Sequence, residues 1–242
     1  MAKIIIPNQS FIELLKDINQ TVVIDANLII PPDRSNLTNS VPRIGFDKYK
    51  NIFIEPMLRI LPNIAIHEAV YSEISVQPSL KDYIDLKIQE DSIILLKDSD
   101  LNDSERFIRN TIEEKIAQFT KYNPSLNNSS DRGEVKSISF AVAKNLIYFS
   151  TNDSNVISLI ERRELEPYLH SLGAIRLYEL IYLIKINKGN SKALRGLYKL
   201  LYYLTTNEKE HNLDWASFIE ECNRYYAQYF DGNVKLSPRS QK

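Results

Sequence analysis

The sequence predicts an α/β protein built on a parallel sheet, and its strand-like and helix-like segments carry this prediction. Short apolar runs rich in β-branched or aromatic residues, such as Thr21–Asp25 and Leu146–Ser150, are typical of buried strands. Stretches whose apolar residues recur at helical spacing alternate with these runs, which is the pattern of parallel βαβ units. The chain contains only six glycines and no internal repeat, which argues against a propeller, a solenoid or a β-sandwich.

Length, charge and cysteine content limit the class of protein. A chain of 242 residues fits one large domain, or a domain of about 150 residues with an extension. A net charge of −1 means that any basic surface must be local. The single cysteine, Cys222, excludes an intrachain disulfide and a cysteine-based zinc site. The N-terminal apolar run is too short for a secretory signal, and charges interrupt the most apolar stretch, so we expect a cytoplasmic protein without a membrane span.

The first half of the chain reads as three strands separated by helices. We predict strands at 21–25, 63–66 and 92–96, and helices at 11–18, 46–61, 67–74, 79–89 and 103–121. Ser10 is the expected N-cap of the first helix. The composition of 31–42 predicts a polar loop that leaves the end of the first strand. Residues 3–6 are expected to form a short strand or an arm.

The second half begins with a helix start signal at Asp131. Asp131 is the expected N-cap and Glu134, three residues on, completes a box-like pattern. We then predict a strand at 146–150, a helix at 155–163, a strand at 174–177 and helices throughout 178–230. A tail from 231 to 242 is expected to be disordered.

Four acids follow the predicted strands and helices in a suggestive order. Asp25 closes the first strand, and Asp153 lies just past the strand at 146–150. Glu73 and Glu134 fall in helices that follow connections at the same edge of the sheet, where ligands of open α/β sheets bind. Clustered carboxylates need a cation to offset their repulsion, and hard cations prefer oxygen ligands. The pattern therefore predicts a site for Mg²⁺ or Mn²⁺.

Each acid also has a plainer interpretation when it is taken alone. Asp131 and Glu134 are typical of a helix cap, Asp153 also fits a cap, and Glu73 is typical of a solvated helix residue. Asp25 fits such interpretations least, because an acid that closes an apolar strand risks burial and then needs a partner.

The remaining polar residues that were considered for a site show no such order. The histidines lack metal-ligand spacing and are expected to be structural or surface residues; they are His67, His170 and His211. Glu55 and Glu68 are expected to be solvated.

A basic stretch without acids follows the last predicted strand. Its cations are Lys185, Lys188, Lys192, Arg195 and Lys199. Tyr198, Tyr202 and Tyr203 are interleaved with them or adjacent, and cations with aromatics can track a phosphate backbone and stack unpaired bases. A solvated helix face whose tyrosines lie in the core is the plainer interpretation of this stretch, and both interpretations stay open.

The ordered motifs resemble the PIN domain family. V-V-I-D-A-N-L-I at 22–29 resembles the family's first strand, and I-A-I-H-E-A-V-Y-S-E-I at 64–74 its second strand and helix. G-E-V-K-S-I-S-F-A at 133–141 and Y-F-S-T-N-D at 148–153 match the segments with the third and fourth acids. A-I-R-L-Y-E-L-I at 174–181 is similar to the final strand and helix, so the resemblance covers about residues 21–182.

This resemblance implies a three-layer α/β/α sandwich and a Mg²⁺- or Mn²⁺-dependent endoribonuclease. We expect its substrate to be single-stranded RNA, because a flexible strand can bend its backbone into a recessed site. Many members are toxins of bacterial toxin–antitoxin modules. The implied catalytic and metal-binding residues are Asp25, Glu73, Glu134 and Asp153. The implied assisting residues are Asn27 and either Ser150 or Thr151, with Asp131 as an additional acid.

The chain is longer than the small toxins, with an insertion at 31–61 and extra helices at the end. We therefore expect a PIN-like nuclease domain at 1–182 and a helical extension at 183–230. An antitoxin or other protein partner and a homodimer stay open.

Two other functions compete with the nuclease. One is a non-catalytic PIN-like module that binds RNA or a partner protein through the helical extension. The other is a phosphatase or phosphotransferase on a different doubly wound fold, which lacks its D-x-D pair because Asn27 stands where the second acid belongs.

Overall fold

A computed structural model describes residues 6–37 and 43–230. Five parallel strands form one sheet in the order β3-β2-β1-β4-β5. The strands are β1 (Val22–Ile24), β2 (Ile64–His67), β3 (Ile93–Leu96), β4 (Tyr148–Thr151) and β5 (Gly173–Arg176). The predicted α/β class with a parallel sheet is confirmed, and each strand overlaps a predicted run.

Helices lie in the connections between the strands and make up most of the described region after β5, which ends at residue 230. They are α1 (Gln9–Lys16), α2 (Phe46–Tyr49), α3 (Glu55–Ile60), α4 (Glu68–Ile74), α5 (Pro78–Gln89), α6 (Asp103–Ala117), α7 (Arg132–Ala143), α8 (Ser154–Ile160), α9 (Glu166–Leu169), α10 (Leu177–Ile186), α11 (Ser191–Tyr202), α12 (Thr206–His211) and α13 (Trp215–Tyr226). In these described parts of the chain, no helix is long and apolar enough to cross a membrane.

Hydrophobic residues are buried on both faces of the sheet. Val22 and Ile24 of β1 pack in one buried cluster with residues of α1, α3, α5 and α10, whereas Val23 packs in a second cluster with α6, α7 and α8. Because successive strand residues point to opposite faces, the two clusters are the two sides of the sheet. Helices on both faces agree with a three-layer arrangement.

The predicted helix at 46–61 is present as a continuous helical rod with an irregular centre. A π-helical turn at Lys50–Ile54 joins α2 to α3. Pro56 follows in the first turn of α3. Proline has no N–H to donate and crowds the preceding turn, and a wider turn accommodates this defect. The rod is anchored in the core by Tyr49 and Phe53, which are fully buried.

The C-terminal helices pack into the first cluster and do not stand apart from it. The Phe218 ring of α13 stacks on Tyr198 of α11 at a centroid distance of 4.4 Å. Tyr226 lies edge-on against Phe11 of α1 at 4.9 Å. The division of the chain at residue 182 stays a prediction, although these helices share one core with the sheet.

Two further expectations concern chain ends. The first helix begins at Gln9 and not at Phe11, because the side chain of Asn8, and not that of Ser10, caps it by accepting from the Ser10 N–H. The expected disordered tail at 231–242 lies outside the described residues, as do residues 3–5 of the expected strand or arm.

Candidate active site

The parallel strands bring their carboxyl ends to one edge of the sheet, and Asp25 lies there directly after β1. Asp25 is only 1 % exposed. Its Oδ1 accepts a hydrogen bond from the Ala26 N–H at 2.7 Å, and its Oδ2 accepts from Thr151 Oγ1 at 2.8 Å and from Asn27 Nδ2. These bonds fix the orientation of the carboxyl group and satisfy part of its need for partners.

Asn27 and Thr151 connect the ends of β1 and β4. Asn27 Nδ2 also donates to Thr151 Oγ1 at 2.9 Å, and Asn27 Oδ1 accepts from the Asn152 N–H at 3.0 Å. The Asp153 N–H donates to Thr151 Oγ1 at 3.0 Å. The two strand ends are thus held in one hydrogen-bonded unit around Asp25.

Ser150 does not belong to this unit. It is fully buried, and its hydroxyl donates to the Ile175 carbonyl of β5 at 2.8 Å. Successive strand side chains point in opposite directions, so Thr151 faces Asp25 and Ser150 does not. Of the two predicted assisting residues, the structure brings only Thr151 to the acids.

Glu73 of α4 and Glu134 of α7 approach Asp25 from the helices. Burial raises the pKa of Asp25 from its ordinary 3.8 to about 7, and the charges of Glu134 and Glu73 add to this rise. Burial, and after it the charge of Glu134, raises the pKa of Glu73 to about 7. A hydrogen bond from the Gly133 N–H and the positive charge of Arg132 lower this pKa but do not outweigh the rise. Three carboxyl groups from three separate elements therefore interact.

Glu134 links this group to two further acids. Burial is the main cause of its raised pKa, and the charges of Asp131 and Asp153 raise it further. All four predicted metal-binding acids and Asp131 therefore belong to one electrostatic cluster, which we call the acid cluster.

Gly133, in the first turn of α7, leaves room for the Glu73 carboxylate beside this helix. A Cβ atom built at Gly133 would lie 2.5 Å from Glu73 Oε1. Real Cβ atoms do not approach a carboxylate oxygen this closely, so any side chain here would push Glu73 away. Glycine at this position allows the Glu73 carboxylate to rest against the first turn of α7.

Asp131 and Asp153 differ in their local roles. Asp131 was expected to cap α7, and this expectation is wrong. Its backbone is left-handed with φ 55°, its side chain makes no capping bond, and its Oδ2 accepts from the Lys121 N–H at 2.7 Å. Asp153 does cap α8, because its Oδ1 accepts from the Asn155 N–H at 2.7 Å. Capping occupies one oxygen of Asp153 and is compatible with a second role for the other.

The donor set of the acid cluster fits a hard divalent cation. All candidate donors are oxygens. Burial is the main cause of the raised pKa of Asp25, Glu73 and Glu134, and the repulsion of neighbouring carboxylates adds to it. A divalent cation would offset this repulsion and favour their ionised forms. No three of these acids have ligand oxygens within 4.8 Å of one another, so a cation here would be held directly by one or two carboxylates and would reach the others through its bound waters, as Mg²⁺ can.

A second polar group lies further along the same edge, where β2 and β3 end. Ligand atoms of His67, Glu68 and Asp98 lie within 4.8 Å of one another. His67 Nδ1 accepts from the Ala69 N–H at 3.2 Å, so a neutral ring carries its proton on Nε2, which lies 3.2 Å from Asp98 Oδ1. Asp98 Oδ2 also accepts from Arg109 at 2.8 Å. With both ring nitrogens occupied and a guanidinium beside the carboxylate, this group fits an ion-pair network better than a metal site.

Glu68, which was expected to be solvated, remains open to solvent. Its Oε1 also accepts from the Asp98 N–H at 3.0 Å, a contact that was not predicted. No local pattern predicts this network, because His67 and Asp98 are separated by 31 positions and meet through the pairing of β2 with β3.

None of the predicted basic residues lines the pocket that contains Asp131, Glu134 and Asp153. Lys188, Lys192, Arg195 and Lys199 are exposed and Lys185 is half-buried. Tyr198 and Tyr202 are buried in the core, so they cannot stack bases. Tyr203 is half-buried and lines a groove with Lys192 and Lys199.

Sequence reasoning missed two residues that connect the C-terminal helices to the acid cluster. The Tyr202 hydroxyl of α11 donates to Asn152 Oδ1 at 2.6 Å. Asn152 in turn donates from its backbone to Asn27, which contacts Asp25. A buried tyrosine at helical spacing looks like any core residue, so only the three-dimensional arrangement identifies it.

Comparisons of this chain with protein-family models, with curated proteins and with solved structures found no match.

Proposed function

We propose that this chain is a PIN-like endoribonuclease that uses Mg²⁺ or Mn²⁺ to hydrolyse phosphodiester bonds of single-stranded RNA. The observation that carries the proposal is the acid cluster itself. Asp25, Glu73 and Glu134 come from three elements and meet at the carboxyl edge of a parallel sheet, where burial raises the pKa of Asp25 and of Glu73 and the charge of Glu134 raises it further. Their order along the chain is the one on which the family resemblance rests.

The residues of the cluster have separate tasks in this mechanism. A bound divalent cation supplies positive charge that activates water for attack and offsets charge on the phosphate. Asp25, fixed by Ala26, Asn27 and Thr151, presents its remaining lone pairs in one orientation. Glu73 and Glu134 would complete the oxygen donor set of such a cation, whose charge would favour their ionised forms. No histidine contacts the cluster among the described residues, so no separate general base is assigned.

A flexible single strand suits a recessed site, because it can bend its backbone toward acids that lie below the protein surface. Asp25 is buried and Glu134 is only partly accessible. A stiff duplex brings its phosphates to such a site less easily. This argument supports single-stranded RNA as the substrate and leaves the biological role, toxin-like or RNA-processing, to experiment.

The test is cleavage of end-labelled single-stranded RNA by the purified protein with Mn²⁺ or with chelator. We expect cleavage that requires the metal and that falls at least about 100-fold in Asp25→Asn. Asp82→Asn is the matched control, because Asp82 is exposed on α5 and its loss changes the net charge equally. Equal cleavage by wild type and Asp25→Asn would show that the assigned site is wrong.

One observation favours the second candidate, a module that binds RNA or a partner protein through the C-terminal helices. A groove of about 970 Å³ lies between α11 and the segment around 43–52, and the described residues of its wall include cations but no acid. The cations are Arg43, Lys48, Lys192, Lys199 and Lys209. Calorimetry separates the candidates, since a non-catalytic module has no need to bind Mn²⁺, whereas the nuclease must.

A further inference from the structure

A second pocket, of about 470 Å³, opens directly beside the acid cluster. Asp131, Glu134 and Asp153 form one part of its wall. Phe119 and Lys121, from the segment that follows α6, and Arg162, which follows α8, form another. The volume lies within the range of small-ligand pockets, which is about 300–1,000 Å³. The pocket therefore has room for a ligand that also reaches the acids.

An aromatic ring and a guanidinium stack on the wall of this pocket. The guanidinium carbon of Arg162 lies 4.3 Å from the centroid of the Phe119 ring. Both side chains are open to solvent, with Phe119 39 % exposed. Arg162 also pairs with Glu164 at 3.3 Å, but exposed ion pairs of this kind contribute little and leave the guanidinium plane available. Unpaired nucleobases stack on aromatic rings and on guanidinium planes.

Lys121 adds a cation to the same wall. Its backbone N–H donates to Asp131 Oδ2 at 2.7 Å, which ties this residue to the acid cluster. Within residues 6–37 and 43–230, its ammonium group forms no ion pair, so its charge is available to a phosphate. The pocket thus combines a flat stacking surface, a free cation and a cluster of carboxylates.

We propose that this pocket binds one nucleotide of a single-stranded nucleic acid, next to the phosphate that is cleaved. The base extends the Phe119–Arg162 stack, and Lys121 contacts a phosphate of the strand. The inference rests on the proposed nuclease function for the identity of the neighbouring phosphate. It explains a preference for single strands, because a base held in a duplex is not free to join the stack.

The variants Phe119→Leu and Arg162→Gln remove the two halves of the stack. Phe107→Leu and Arg163→Gln are matched controls, since Phe107 is exposed on α6 and Arg163 is the exposed neighbour of Arg162, and neither lines this pocket. Steady-state cleavage of a short single-stranded RNA in Mn²⁺ gives kcat and KM for each protein. Fluorescence anisotropy in chelator gives the affinity for the same labelled strand and for its duplex.

We expect each stack variant to raise KM and to weaken single-strand binding by about tenfold, the size of one lost base stack. The affinity for the duplex should stay unchanged, as should all constants of the two control variants. If wild type cleaves RNA and Phe119→Leu behaves as Phe107→Leu does, the inference fails while the nuclease proposal stands. If wild type cleaves nothing, the nuclease proposal fails, and the binding measurements decide whether the pocket recognises a single strand. Equal single-strand affinities of wild type and all variants would then overturn the inference as well.

Discussion

Replacing Asp25 by asparagine should change the stability of the metal-free protein in opposite directions at low and at high pH. The pKa of Asp25 rises from 3.8 to about 7 on folding. Between these values the folded protein binds a proton that the unfolded chain has lost, so stability is lost as pH rises from about 4 to about 7. At about 1.36 kcal/mol per pKa unit, the charged carboxylate costs the metal-free fold up to about 4 kcal/mol above pH 7.

Asparagine removes this charge but also disturbs hydrogen bonds. Its amide nitrogen cannot accept from Asn27 and Thr151, which both donate to Asp25 Oδ2. Two altered bonds cost about 1 kcal/mol each. At about pH 4, close to the unfolded pKa of 3.8, little of the charge penalty has developed, so the hydrogen-bond cost dominates and the variant should be less stable by about 1–2 kcal/mol. At about pH 8 the relieved charge outweighs this cost, and the variant should be more stable by about 2 kcal/mol.

Urea unfolding in chelator at the two pH values measures these differences. Repeating it with Mn²⁺ at about 100 times its Kd should stabilise wild type by about 2.7 kcal/mol and the variant by much less. The control Asp82→Asn should change neither the pH dependence nor the response to Mn²⁺. A loss of stability in Asp25→Asn that is the same at both pH values would refute the reasoning, since it would mean that the carboxylate is not strained by burial and by its neighbours.

Three further predictions test other parts of the structure. Tyr202→Phe removes the hydroxyl that donates to Asn152, and we expect a loss of about 1 kcal/mol in unfolding free energy together with weaker Mn²⁺ binding by calorimetry; unchanged Mn²⁺ affinity would show that the C-terminal helices do not position the acid cluster. Phe218→Ala empties a fully buried position and should cost about 3–5 kcal/mol in one cooperative urea transition, whereas a separate, early transition would indicate an independent extension. Asp98→Asn should leave the stoichiometry of Mn²⁺ binding unchanged, because the His67 network already satisfies its groups; a lost binding event would place a metal there.

The features that depend on local patterns could be predicted from the sequence. The run before Asp25 is short, apolar and β-branched, so its burial and its end at an acid are visible without a structure. The same holds for the strand that precedes Asp153 and for the helix that carries Glu73. The acids could be placed at one edge because parallel strands all end on the same side of a sheet.

Features that depend on contacts between distant residues could not be predicted. Asp131 looks like a helix cap, but its contact with the Lys121 backbone accompanies a left-handed conformation that no local pattern signals. Strand alternation shows that Ser150 and Thr151 point in opposite directions, but only the pairing of β1 with β4 decides which of them faces Asp25.

The same limitation applies to the stacking pair beside the cluster. Phe119 and Arg162 are 43 positions apart, and each is an ordinary exposed residue of a helix end or loop. Their proximity at 4.3 Å results from how the segments after α6 and α8 pack against the sheet. A search by motif or by spacing has no means of joining them.

The most direct test of the acid cluster as a nuclease site is the Mn²⁺-dependent cleavage rate of single-stranded RNA by Glu134→Gln. Glu134 interacts with Asp25, Glu73, Asp131 and Asp153, so its loss should disturb the whole site. We predict a rate at least about 100-fold below wild type, while Glu114→Gln, which removes an exposed charge from α6, cleaves normally. Wild-type cleavage by Glu134→Gln, or cleavage that persists in chelator, would contradict the account.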